Sequence, residues 1–472
     1  MKIHSLAAVA VVLASTLALG VPLVVEEEPP HASPAPLVDE TPTFTAQRIL
    51  DRERAGGEPV IAILPSGTIL VAAHPGWTHA NRADPNLVTG ANGQSYVWRS
   101  ADGGETFARV ARVGGTGDVP GLANVPFSDC VPGLSDPDFA VTAEGVAYFT
   151  DFYKTGASVL RSLDDGQTWE CRNLEDGPTR KDQDRPWLAA RGDEVFFVSN
   201  FGGGHKVLRS VDGGATFVHV GTARCGGDLS IGADGLLFVG CSGGGLERSR
   251  DGGATWTRIS PRGPQLVGAA ALPEPAIDAA GNVYVAAVGF ADRKVYLSVL
   301  PRDADAFLPP YTVSDAPVVP SGEKMWPWVT AGSEGRVAVT WYGTEGPMTL
   351  ESEWRVFVSF VTEAASDSPT VTTVVATPQI VHRGRIQPGL ALGLACDFTL
   401  DCVRNPRDRR MGDFFETAVD PQGFLHVVYS DTQAVGAGGL EGVPAGISHV
   451  GYVRQTGGVR LYASPADVHW YS

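Results

Sequence analysis

Carboxylates recur at one place in a repeated pattern along this chain. Glu58, Asp136, Asp138, Asp184, Asp228, Glu274, Asp413 and Glu416 each stand at or beside the start of a short apolar run, and Arg185, Lys324 and Trp326 share that position. If the runs are strands around a common axis, these groups converge. A ring rich in carboxylates can hold a cation, bind a network of sugar hydroxyls, or carry acid and base chemistry, because neighbouring acids push each other's pKa values apart. Asp138, Asp184 and Glu274 are the candidate catalytic groups. Glu58, Asp136, Arg185, Asp228, Lys324, Trp326, Asp413 and Glu416 are the candidate ligand-binding groups. The competing reading is that acids at strand starts accept backbone N–H groups and surround water.

Aromatic residues divide in the same way. Trp77 and Trp354, in or near loops, are candidates for stacking on a ligand, whereas Trp187 and Trp328 follow prolines within apolar runs and read as packing. His74 and His79, five apart in a loop, read as exposed polar residues rather than metal ligands.

The elements that must position these groups form a repeat. "EPVIAILPSGTILVAA" (58–73), "DPDFAVTAEGVAYFTD" (136–151), "DRPWLAARGDEVFFVS" (184–199), "GGDLSIGADGLLFVGC" (226–241), "EPAIDAAGNVYVAAV" (274–288), "WPWVTAGSEGRVAVTW" (326–341) and "FFETAVDPQGFLHVVY" (414–429) each read as two strands joined by a tight turn with Gly at a positive-φ position. Seven copies predict an all-β propeller of seven four-stranded blades, six being the alternative. After four of the hairpins comes a second motif: "SADGGETF" from Ser100, "SLDDGQTW" from Ser162, "SVDGGATF" from Ser210 and "SRDGGATW" from Ser249. In each, the Asp carboxylate (Asp102, Asp164, Asp212, Asp251) is suited to accept N–H groups of its own turn, and the aromatic to plug the gap between strands. These aspartates read as structural, because turns spread around a rim do not converge on one ligand.

Connectivity assigns the faces. If the Ser-x-Asp turn joins strands three and four, it shares a face with the turns between strands one and two. The long connections 74–98, 111–135, 170–183, 301–325 and 378–413 then fall on the opposite face, with the inner-strand starts, and that is where binding is expected.

The remaining features set the compartment. Lys2 and an uncharged apolar run from Leu6 to Val25, ending near Ala18-Leu19-Gly20, read as an export signal over 1–25. The run is also long enough to anchor in a membrane if uncleaved. Residues 26–43 are an acidic, Pro-rich linker, and 44–472 one propeller domain. A secreted or extracytoplasmic location suits the six cysteines, read as disulfides: Cys225 with Cys241 across a hairpin, Cys396 with Cys402 around a short loop, and Cys130 with Cys171. The formal charge of −17 argues against nucleic acid as a partner and leans towards a neutral or cationic ligand. A monomer is expected.

The Ser-x-Asp-x-Gly-x-Thr-(Trp/Phe) motif is the Asp-box, or BNR repeat. With the hairpin repeat, it makes the chain from about residue 44 to its end resemble the sialidase superfamily. The resemblance implies a β-propeller. Sialidases themselves combine six blades with three arginines that clamp a carboxylate, a Tyr/Glu nucleophile pair and an acid/base Asp. Their first arginine opens the first inner strand, where this chain reads "GGEPVIAI" with Glu58, an acid that would repel a carboxylate. Arg185, Arg383, Arg385, Arg409 and Arg410 are the arginines available for a clamp. Seven-bladed relatives with the same boxes include the photosystem II assembly factor type and xyloglucanase modules. The expectation is therefore an exported propeller that binds a glycan or a protein partner on its insertion-rich face. The alternative is a glycoside hydrolase, a divergent exo-α-sialidase or an enzyme using channel carboxylates such as Asp138 and Glu274. No cofactor is expected beyond a calcium ion in the channel, which would need six or more oxygen ligands.

Overall fold

The computed structural model describes residues 41–52, 56–74, 95–110, 135–153, 156–174, 184–200, 204–267, 273–386, 410–433 and 448–470. Residues 40–472 make one compact unit. Its described residues form seven antiparallel sheets, the seven blades of a propeller. The inner strands are Gly57–Ile63, Ser135–Val141, Trp187–Arg191, Leu229–Ile231, the pair Leu266–Val267 and Ala276–Ile277, Lys324–Ala331, and Thr417–Val419. All seven predicted hairpins are present, each as the first two strands of its blade. The fifth inner strand is split into two short pieces on one partner strand, a break the hairpin pattern did not reveal.

Closure comes from opposite ends of the chain. Thr43–Phe44 and Arg48–Ile49 pair with His449–Gly457 and complete the seventh blade. These short strands lie on the outer side of that blade, opposite its inner strand Thr417–Val419. Buried aliphatic and aromatic residues of neighbouring blades interdigitate between the sheets, with Trp98, Trp187, Trp328, Trp341 and Trp354 among the largest.

The four Ser-x-Asp-x-Gly-x-Thr turns share one geometry. In the first, Asp102 Oδ1 accepts the Thr106 N–H at 2.9 Å and Asp102 Oδ2 accepts the Thr106 hydroxyl at 2.5 Å, while Ser100 Oγ accepts the Gly104 N–H at 2.9 Å. Gly104 is left-handed (φ 86°), and a Cβ there would lie 2.0 Å from the Tyr452 hydroxyl of the neighbouring blade. The carboxylates are engaged by their own turns and face no common point.

These hydrogen bonds hold the carboxyls of Asp102, Asp212 and Asp251 down at about 2, with the threonine hydroxyl as the largest influence. A depressed carboxyl contributes stability above its unfolded pKa, near 4, that is lost as pH falls towards 2. The melting temperature should therefore drop between pH 4 and pH 2. An Asp102→Asn, Asp212→Asn, Asp251→Asn triple variant should melt lower at pH 6 and show a shallower acid slope; equal slopes would refute this account of the turns.

Cys225 and Cys241 form a disulfide, their Cα atoms 4.9 Å apart, as the hairpin reading predicts. Cys171 is also disulfide-bonded, while Cys130, Cys396 and Cys402 lie outside the described residues. Loop-closure entropy for a loop of this size gives about 3 kcal/mol. Chemical denaturation of a Cys225→Ser, Cys241→Ser variant should show a loss of that order.

Candidate functional site

The site begins with the way inner strands start. At Glu58 (φ 48°), Asp136 (φ 46°), Arg185 (φ 58°) and Trp326 (φ 50°) a non-glycine residue is left-handed, and each precedes a proline: Pro59, Pro137, Pro186 and Pro327. Proline has no N–H for the ladder, so strands carrying it bulge. The pairing skips at Glu58–Pro59, Asp136–Pro137 and Trp326–Pro327. A left-handed L-residue costs roughly 1–2 kcal/mol, and strain of this kind clusters where side chains must be aimed. The Xaa-Pro dipeptides are plain in the sequence, but their positive φ is not.

Two of these strained residues stitch one blade to the next. Asp136 Oδ2 accepts the Arg185 N–H at 3.1 Å, and Glu58 Oε1 accepts the Asp413 N–H at 2.9 Å. His74 Nε2 lies 3.0 Å from Glu58 Oε2. Arg185 Nε lies 4.0 Å from Asp184 Oδ2. The Asp184 carboxyl is pushed up, first by partial burial although its side chain stays 43% exposed, with Glu58 and Asp413 adding to the rise and Arg185 and a hydrogen bond to Asp136 opposing it. Glu58, Asp136, Asp184, Arg185 and Asp413 are thus one electrostatic group at the channel mouth. His205 adjoins it, its imidazole driven down to about 4 by burial and then by the Arg185 charge. Nothing in the sequence marks His205; it is seated over Gly226, where a Cβ would fall 2.0 Å from Nε2.

A second group lies further down the axis. Asp138, Asp228, Glu274 and Glu416 line a cavity of about 130 Å³ inside the ring. Asp138 Oδ2 accepts the Leu188 N–H at 2.5 Å, and Oδ1 its neighbour's, Phe139, at 2.7 Å. Asp228 Oδ1 accepts Leu229 N–H at 2.6 Å, and Glu416 Oε2 accepts Ile61 N–H at 3.3 Å. Burial is the largest influence on all four and raises every one, Asp228 to about 7 and the others well above the carboxylate range, with mutual repulsion adding at Asp138, Glu274 and Glu416. The reading of acids that satisfy strand-start N–H groups therefore holds in part here.

Three aromatic rings stand between the two groups. Phe414 packs edge-on against Trp187 (5.3 Å) and stacks on Trp328 (6.1 Å), bridging blades 3 and 6 across the axis. Along the chain, Arg185 precedes Trp187, and Asp413 precedes Phe414, which precedes Glu416, so the mouth group lies on one side of this layer and the cavity on the other. The far end of the cavity is lined by Tyr462, His469 and Trp470. That tail is fixed to the Ser-x-Asp face by Ser333 N–H to Leu461 O and by His469 Nε2 to Ile277 O, both 2.9 Å.

The remaining expectations fare differently. Lys324 is not brought to either group: its ammonium donates to Pro320 O (2.6 Å) and Gly322 O (2.8 Å), carbonyls of its own connection. Trp326 is buried edge-on against Tyr342, so its ring is committed to the blade core. Trp354, expected near a loop, is fully buried in a strand and donates its indole N–H to Gly384 O at 2.8 Å. His74, expected to be exposed, is buried beside Glu58. Arg383 is exposed and paired with Glu353, and Arg410 is buried. Trp77, His79, Arg409 and most of the long connections lie outside the described residues.

No protein-family model matches the chain, and no curated protein matches it. Similar folds occur among solved structures, and the three that follow are distant. A protein of unknown function from Dyadobacter fermentans is 13% identical with a TM-score of 0.45 over 89% of this chain and 100% of that one. The α-L-arabinanase of Penicillium chrysogenum, solved with arabinobiose, is 13% identical with a TM-score of 0.42 over 89% and 99%. A Hadza microbial sialidase is 14% identical with a TM-score of 0.41 over 61% and 63%. Likeness at this level carries no argument about substrate.

The strain at Arg185 makes a prediction of its own. Glycine at this position keeps the N–H that Asp136 accepts and removes the left-handed penalty. Arg185→Gly should therefore be more stable than the parent by about 1 kcal/mol, read as a rise in melting temperature. A fall would mean that the Arg185 side chain holds the mouth together.

Proposed function

We propose that this is an exported propeller that binds a glycan at its channel mouth. What supports the reading is the group formed by Arg185 with Glu58, Asp136, Asp184 and Asp413, aimed by strained strand starts towards the face from which the long connections leave. Closely set carboxylates and one guanidinium are suited to a polyol, since acids accept hydroxyl protons and the guanidinium donates to ring and hydroxyl oxygens. The acidic majority disfavours a sugar carboxylate and favours neutral or amino sugars. Glycan-array screening followed by calorimetry should find a neutral or basic glycan, with binding weakened at least tenfold in Asp184→Asn and Arg185→Ala. Preference for sialylated glycans, or binding unchanged in both variants, would contradict the proposal.

Asp184 favours a second reading, glycoside hydrolysis. A carboxyl held above its ordinary range is suited to protonate a leaving oxygen while an ionised neighbour serves as base or nucleophile. A panel of fluorogenic glycosides of neutral sugars tests this: turnover abolished in Asp184→Asn but retained in Asp138→Asn would place catalysis at the mouth.

A further inference from the structure

We propose that the cavity beneath the aromatic layer is a divalent-cation site, with Asp138, Asp228 and Glu416 supplying the ligand oxygens and Glu274 beside them. One carboxylate oxygen from each of the three lies within 4.8 Å of the others, and all three residues are buried. Oxygens that surround Ca²⁺ at 2.3–2.6 Å can stand no further apart than about twice that distance, so a set of this width fits the ion. Oxygen-only donors select a hard cation over zinc or copper.

A second observation points the same way. Glu416 is only 6% exposed, yet its Oε1 has no hydrogen-bond partner among the described residues, and the buried Glu274 Oε2 likewise has none among them. An unmet carboxylate oxygen in a buried site is costly, and these two belong to residues that line the same cavity as Asp138 and Asp228. Among the described residues, no basic side chain acts on Asp138, Asp228 or Glu274. Charge compensation must come from protons or from an added cation. The cavity has room for an ion with water completing its coordination. Such an ion would tie blades 2, 4 and 7 together at the axis. This inference is independent of the mouth reading, because cation binding and glycan binding are separate measurements on opposite sides of the aromatic layer.

The test uses the full chain, stripped of metal by chelation and dialysis. Titration with CaCl₂ alone should give one site per chain by calorimetry and raise the melting temperature. Tb³⁺ should luminesce on indole excitation through Trp328 and Trp470, which line the cavity, and Ca²⁺ should displace it. Asp228→Asn and Glu416→Gln should each weaken Ca²⁺ binding at least tenfold, whereas Asp102→Asn, in a rim turn, should leave it unchanged. Should the carboxylate variants fail to fold, a Trp328→Phe, Trp470→Phe variant decides: it should cut Tb³⁺ luminescence severalfold while the chain still binds one Ca²⁺. Absence of Ca²⁺ binding by the stripped parent, affinity unchanged in the carboxylate variants, or full luminescence in the double tryptophan variant would each overturn the proposal.

Discussion

Closing seven sheets into a ring brings seven inner strands onto one axis, and their side chains must be accommodated together in a narrow space. In this chain the space holds four carboxyls, from blades 2, 4, 5 and 7, with burial acting on all of them. Like charges in a low-dielectric interior cannot all stay ionised without compensation. Backbone N–H groups provide some of it, from neighbouring blades at Leu188 and Ile61 and from the adjacent residue at Leu229. Much of the architecture near the axis follows from that demand: cross-blade hydrogen bonds, an aromatic lid on one side and a C-terminal tail on the other.

The same device operates at the mouth with a different outcome. Glu58 and Asp136 also accept N–H groups across blade boundaries, but from left-handed strand starts that hold them above the Trp187–Phe414–Trp328 layer. There they meet Arg185, so the group has a built-in cation and faces the side of the long connections. One repeated strand start thus provides two acidic sites, one inside the ring and one at the rim. Binding is ascribed to the rim because it is the side on which a ligand can be met by loops. The interior is ascribed to the closure of the ring.

Much of the fold could be read in the sequence because the hairpin repeat is a local signal. Each unit carries its apolar alternation and its turn glycine within 16 residues, and all seven inner strands follow from it. What escaped was non-local. The tail that carries His469 and Trp470 has no period to betray that it crosses the Ser-x-Asp face. The pairing of Thr43–Phe44 with the last blade joins residues about 410 apart, such as Phe44 and Gln455. The candidate site was legible as a set of acids at strand starts, but not as two sets, because separation by Phe414 depends on a residue that reads simply as core. Lys324 and Trp326 were drawn into the set by position alone. The bulge and the loop carbonyls that divert them are visible only in three dimensions.

Charge at the axis must be compensated, and crystallography with anomalous scattering tests that most directly. Crystals grown with calcium and measured at long wavelength should show a single anomalous peak between Asp138, Asp228 and Glu416, with the mouth group free of one. A channel containing only water, or a peak among Glu58, Asp184 and Asp413 instead, would contradict it.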